Sequence, residues 1–177
     1  MSIILPQSFY DRDSFVVARE LLGKRLVHEI GGQKLSGMIT EVEVYDGPYD
    51  KASHARMGLT KRNAPMFGEP GVWYVYLCYG VHWMLNIVTR EQDYPAALLI
   101  RGIDVTEGPG RLTKYLKITK EQNATPAFGE PSLYIEESGM VPAEFEIQRT
   151  PRIGISYAGE PWLDALFRYV WKPSDAG

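Results

Sequence analysis

The stretch EVEVYDGPYDKASH (residues 41–54) sets two glutamates two apart in a valine-rich run, then a Tyr, a turn and a His. In an extended strand, side chains alternate between faces. Val42 and Val44 then share one face with Met38, while Glu41, Glu43 and Tyr45 share the other, in line with Leu35 and Ile39. A carboxylate among apolar neighbours is expensive to keep charged unless something uses it. One reading is a strand with one solvated face, since charged side chains are mostly exposed. The other is a carboxylate at the floor of a cleft.

Outward from this stretch the chain reads as short strands joined by turns. KRLVHEI (24–30) and KLSGMITEVEVY (34–45) flank Gly31-Gly32, the mark of a β-hairpin. GVWYVYLCYGVHWMLNIVT (71–89) predicts two strands with a turn near Tyr79 and Gly80, and AALLIRGID (96–104) predicts another. SLYIEE (132–137) and PRIGISY (151–157) read as late strands. DRDSFVVARELLG (11–23) reads as a helix capped by Asp11 or Asp13, with Phe15, Ala18, Leu21 and Leu22 on one face and Gly23 at its end. Gly108-Pro109-Gly110 precedes a short helix, RLTKYLKI (111–118), and irregular loops fall at 46–70 and 119–131. The expected fold is a single α+β domain over residues 1–177, an antiparallel sheet with a few helices.

Composition narrows the class. The 177 residues are 45% hydrophobic and 12% aromatic, with eleven tyrosines and four tryptophans, which describes a globular chain with a sizeable core. One cysteine, Cys78, excludes an internal disulfide. The start, MSIILPQSFY, has no basic signal region, and no apolar run approaches the roughly 20 residues that cross a bilayer. The expectation is a cytoplasmic protein without a membrane partner. Net charge is −3, yet residues 51–120 hold ten Lys or Arg against five Asp or Glu. That basic middle suits a face for a polyanion.

The catalytic chemistry on offer is limited. One Cys and three His (His28, His54, His82) give no zinc spacing, so no metal is expected. GEPGVW (68–73) and GPGRLTK (108–114) fit neither a phosphate loop nor a dinucleotide fingerprint, and no cofactor is expected. A glutamate with aromatic platforms suits cleavage of a glycosidic bond. The carboxylate stabilises an oxocarbenium-like transition state and deprotonates water, and rings stack on flat bases. A sugar hydrolase is disfavoured, because its two carboxyls bracket the bond, whereas alternate residues of one strand lie on one side.

Six motifs in order, TEVEVYDGPYDKASHA, TKRNAPMF, PGVWYVYLCYGVHWMLNIV, LLIRGID, GPGRLTKYL and PRIGI, resemble the alkyladenine (3-methyladenine) DNA glycosylase family over nearly the whole chain. The resemblance implies a curved antiparallel sheet and a base-flipping, monofunctional enzyme that excises damaged purines from double-stranded DNA; a monomer fits the scanning of DNA. It implies that Glu43 is the general base and that Arg101 lies near the target's backbone and the catalytic water. Tyr45 and Tyr76 match rings that stack on the flipped base, although Tyr76 read by itself fits a core. His54 matches a backbone N–H that reads the purine edge, and Asn86 a clash with the guanine amine. Tyr79 matches the wedge that fills the vacated stack. Arg56, Lys61, Arg62, Asn63 and Arg111 are expected at the DNA backbone; for Arg62 and Asn63 holding their own loop is the lesser alternative. Glu41 is left a supporting role. The chain departs from the family in one place: LLIRGIDVTEGPG (98–110) crosses in a few residues a gap that family members fill with a longer insert.

Overall fold

The computed structural model describes residues 3–173. β1 (Arg25–Ile30) and β2 (Gln33–Asp46) pair antiparallel through Gly31 and Gly32, whose φ angles are +57° and +74°. Two successive left-handed residues make the turn that matches strand twist, and glycine adopts them without a Cβ clash. A second hairpin joins β3 (Trp73–Cys78) to β4 (His82–Val88). β5 (Ala96–Ile103), β6 (Thr106–Glu107), β7 (Leu133–Glu136), β8 (Ile147–Thr150) and β9 (Arg168–Trp171) complete the sheet. Its order is β3-β4-β5-β2-β1-β7, with β6 on β5 and a β8–β9 hairpin on β2. All pairings are antiparallel.

β2 is the spine. Its first half pairs with β1, its second half with β9, and residues 39–46 pair with β5 on the other edge. The helices are α1 (Gln7–Tyr10), α2 (Ser14–Leu21) and α3 (Pro109–Tyr115). Of the two candidate caps, Asp13 is used: its carboxylate accepts from the N–H groups of Phe15 and Val16. α2 buries Val17 as well as Ala18 and Leu21. These helices cover Val42, Val44, Leu85, Ile87, Leu98 and Ile100. The opposite face of the sheet, bearing Glu43, Tyr45, Tyr76 and Asn86, is left for the site. No helix among the described residues is long and apolar enough to cross a membrane.

Two local expectations are corrected. Ile39 does not lie in line with Glu41 but is fully buried in the core with Val42 and Val44. The cause is a pair of offsetting irregularities: the register runs Ile39↔Ile103, Glu41↔Gly102, Val42↔Ile100, so β2 gains a residue and then β5 does. Each extra residue reverses which face the chain presents. The alternation from Glu41 to Tyr45 survives, and Ile100 and Ile103 both reach the core. PRIGISY is not a strand. Its backbone turns at Gly154 (φ +74°) and ends in a 3₁₀ turn at Ser156–Ala158, and the late strands are β8 and β9.

The segment is bent by what it holds. Arg152 is completely buried and forks onto Asp50, Nη1 to Oδ2 at 2.6 Å and Nη2 to Oδ1 at 2.9 Å, and Nη1 also donates to the Val44 carbonyl at 2.8 Å. This pair ties the loop after β2 to residues 151–155. Breaking a buried pair leaves one uncompensated charge, so Asp50→Ala is expected to cost about 3–5 kcal/mol in chemical denaturation. The double variant Asp50→Ala with Arg152→Met is expected to lose less than Asp50→Ala alone.

Candidate active site

Strand alternation brings Glu43 and Tyr45 of β2, Tyr74 and Tyr76 of β3 and Asn86 of β4 to one region, faced by the loop carrying His54. Tyr74 and Asn86 are directly paired across β3 and β4. Together with Met66 and Tyr157, Tyr45, His54, Tyr74, Tyr76 and Asn86 line a small pocket. It opens into a wider cleft that runs past Arg101, Ile153 and the hairpin tip at Tyr79 and Gly80.

The walls are aromatic. The His54 and Tyr76 rings meet edge-on at 4.6 Å, and Tyr74 and Tyr76 lie 5.2 Å apart. His54 Nδ1 is 2.9 Å from the Tyr74 hydroxyl. Burial, then the Arg62 and Arg56 charges, pull the His54 pKa down, which favours the neutral imidazole. Burial pushes the Tyr74 phenol up to about 12 and raises Tyr45 and Tyr76 as well, so all three remain O–H donors. His54 opens a 3₁₀ helix (His54–Met57), and its backbone N–H has no acceptor among the described residues. Asn86 is buried, and its Nδ2 donates to the Tyr74 carbonyl at 3.0 Å. That bond leaves its oxygen to meet the pocket.

Glu43 lies one layer deeper than the sequence suggests. It has no exposed surface and sits behind a cleft wall of Tyr45, Arg101 and Ile153 rather than on the floor. Its Oε2 accepts from the Tyr45 hydroxyl at 2.8 Å, and its Oε1 from the Ile153 N–H at 2.7 Å. Arg101 Nε is 3.5 Å from Oε1. Burial raises the Glu43 pKa, opposed by the Arg101 charge and the two hydrogen bonds. Arg101 also donates to Glu41 at 2.9 Å, and Arg168 donates to the same Glu41 oxygen at 2.6 Å. Glu41 thus orients the arginine next to Glu43.

The outer residues divide. Tyr79 is 97% exposed with φ +50°, so it is not a core ring. Arg56, Lys61, Arg62 and Arg111 are exposed, and none forms an ion pair among the described residues. Asn63, expected at the DNA backbone, is instead 1% exposed. Its side chain is consumed inside its loop, accepting from Thr60 and donating to the carbonyls of His54 and Gly58. Sequence reasoning missed Asp50, Arg152, Arg168, Tyr74 and Tyr157. Only Tyr74 left a signal there, in the tyrosine-rich run of β3.

The sequence model of the methylpurine-DNA glycosylase family matches residues 8–107 and 103–175. The two matched segments meet where β5 turns into β6. A protein of Legionella pneumophila (strain Lens), provisionally named a 3-methyladenine DNA glycosylase, is 43% identical over 175 residues, covering 95% of this chain and 94% of that protein. Similarly named proteins of Myxococcus xanthus and Methanocella arvoryzae are 46% and 40% identical, covering 94% and 90% of this chain and 89% and 90% of their own lengths. A family match over nearly all the chain and relatives of like length leave one conclusion: the chain belongs to the methylpurine-DNA glycosylase family, hydrolases that cleave N-glycosyl bonds in DNA.

Proposed function

We propose that residues 1–177 form one monofunctional glycosylase domain. It flips an alkylated or deaminated purine, such as 3-methyladenine or hypoxanthine, out of double-stranded DNA and hydrolyses its N-glycosidic bond, initiating base excision repair. The observation that carries this reading is a carboxylate of raised pKa held directly behind the wall of an aromatic pocket. Tyr45 and Tyr76 supply stacking faces, the His54 N–H a donor for the base edge, and Asn86 a side chain whose bulk clashes with the exocyclic amine of guanine.

Glu43 takes the proton of the attacking water and balances the positive charge that develops on the sugar. Each of its oxygens accepts one hydrogen bond in the free protein and keeps a lone pair. Catalytic contacts tighten only once substrate is bound, so a water reaches this carboxylate after a small movement of Arg101 or Ile153. Arg101, anchored by Glu41, stands beside that route. Among the described residues no lysine lines the pocket or the cleft, so no side-chain amine there is at hand for a Schiff base with the sugar. The product is then an intact abasic site, and borohydride is expected to trap no protein–DNA adduct.

Glu43→Gln keeps the shape and removes the base. Single-turnover excision from a duplex with one hypoxanthine is expected to fall on the order of 10²–10⁴-fold, with lesion binding retained. A near-normal rate would overturn the assignment. The base must be ionised to act, and its pKa is raised, so wild-type activity falls on acidification at a pH above the ordinary carboxylate range. That acid limb should vanish in the residual rate of Glu43→Gln.

At the hairpin tip, Tyr79 serves as the wedge that occupies the hole left by the flipped nucleotide. Tyr79→Ala is expected to weaken binding to lesion-containing duplex and leave the melting temperature within about a degree, because the ring has no packing to lose. A large drop in melting temperature with unchanged affinity would refute the wedge.

A further inference from the structure

Three tyrosines around the pocket each carry a guanidinium on the ring. Arg152 Cζ lies 4.8 Å from the Tyr45 centroid, Arg62 Cζ 5.1 Å from that of Tyr76, and Arg56 Cζ 5.0 Å from that of Tyr157. All three rings line the inner pocket, and none of the three arginines does. Arg56 and Arg62 line only the outer cleft, and Arg152 is buried in the protein. Three rings of the pocket wall are thus each held by a cation that does not itself line the pocket.

The three pairs are not equivalent electrically. Arg152 is neutralised by the fork of Asp50. Arg56 donates to the Lys51 carbonyl and Arg62 to the Leu77 carbonyl, and neither meets a carboxylate among the described residues. Two uncompensated positive charges thus stand over the Tyr157 and Tyr76 rings. The same two charges bear on His54, whose ring meets that of Tyr76, and add to burial in disfavouring its imidazolium. A base in the pocket meets that same field. An aromatic ring attracts a cation through the negative potential of its face. A guanidinium already drawing on that potential weakens the attraction for a second cation and repels it directly. A neutral base stacks without that cost.

We propose that Arg56 and Arg62 are specificity-determining residues that bias the pocket toward neutral damaged purines and against formally cationic ones. The inference rests on the reading of the pocket as a base site. It makes deaminated or cyclised purines the better-bound class and N-alkylated, positively charged purines the worse-bound one. Cationic bases depart more readily of themselves, so the bias acts on binding and offsets an intrinsic advantage in leaving.

The test is a ratio. kcat/KM for excision is measured on duplexes bearing 3-methyladenine (cationic) and hypoxanthine (neutral), for wild type, Arg56→Gln, Arg62→Gln and the double variant. Both side chains are exposed, so the variants should fold, and melting curves check this. The 3-methyladenine to hypoxanthine ratio is expected to rise about two- to fivefold for each substitution, the size of one exposed cation–π contact, and further in the double variant. If the arginines only grip phosphates, both lesions lose equally. An unchanged ratio, or one that moves toward hypoxanthine, overturns the proposal while leaving the base-site reading intact. A wild-type protein that excises neither lesion overturns both.

Discussion

Removing a carboxylate entirely from water costs several kcal/mol unless donors replace the lost hydration, and the fold around Glu43 is organised by that need. Its two oxygens are met by a phenol from the same strand, a main-chain N–H from a segment more than a hundred residues away and a guanidinium from the neighbouring strand. Each donor is itself held. Arg101 is shared with Glu41, which Arg168 of β9 steadies. The Ile153 N–H is fixed because the preceding residue, Arg152, is clamped by Asp50 and the Val44 carbonyl. The bends in β2 and β5 belong to the same arrangement, since they let Ile39 and Ile103 reach the core while Glu41 and Arg101 stay on the site face.

The result is a charged layer one residue thick, sandwiched between an apolar core and an aromatic pocket. Val42 and Val44 pack into the core on one side of the strand. On the other side Tyr45 serves two surroundings at once, its hydroxyl turned to Glu43 and its ring lining the pocket. A carboxylate is thereby kept out of bulk water yet adjacent to the pocket.

What was legible in the sequence was what local geometry decides. The Gly31-Gly32 turn, the alternation through Glu41–Tyr45 and the Asp13 cap each depend on neighbours within a few residues, and each is as read. What was not legible depends on distant partners. Asp50 and Arg152 look like surface charges until the pairing is known. PRIGISY alternates apolar residues as a strand does, but its N–H is consumed by a glutamate and its arginine by an aspartate, so it cannot join a ladder. Asn63 lies in a basic run that suggests phosphate, yet three unsatisfied main-chain groups of its own loop lie nearer. The pocket rings on β3 follow from alternation, whereas Tyr157 arrives from a bend no pattern announces.

The turn at Tyr79 also sets fold against the role proposed for this residue. A tyrosine in the left-handed region strains the backbone by on the order of 1–3 kcal/mol, and here it does so with nearly its whole ring in solvent. Asparagine or glycine at this position suits the same turn far better. Selection for thermostability or yield alone would therefore act first against this residue. A population of variants enriched for robust folding should drift toward a relaxed hairpin tip, at the expense of the aromatic ring proposed to enter DNA.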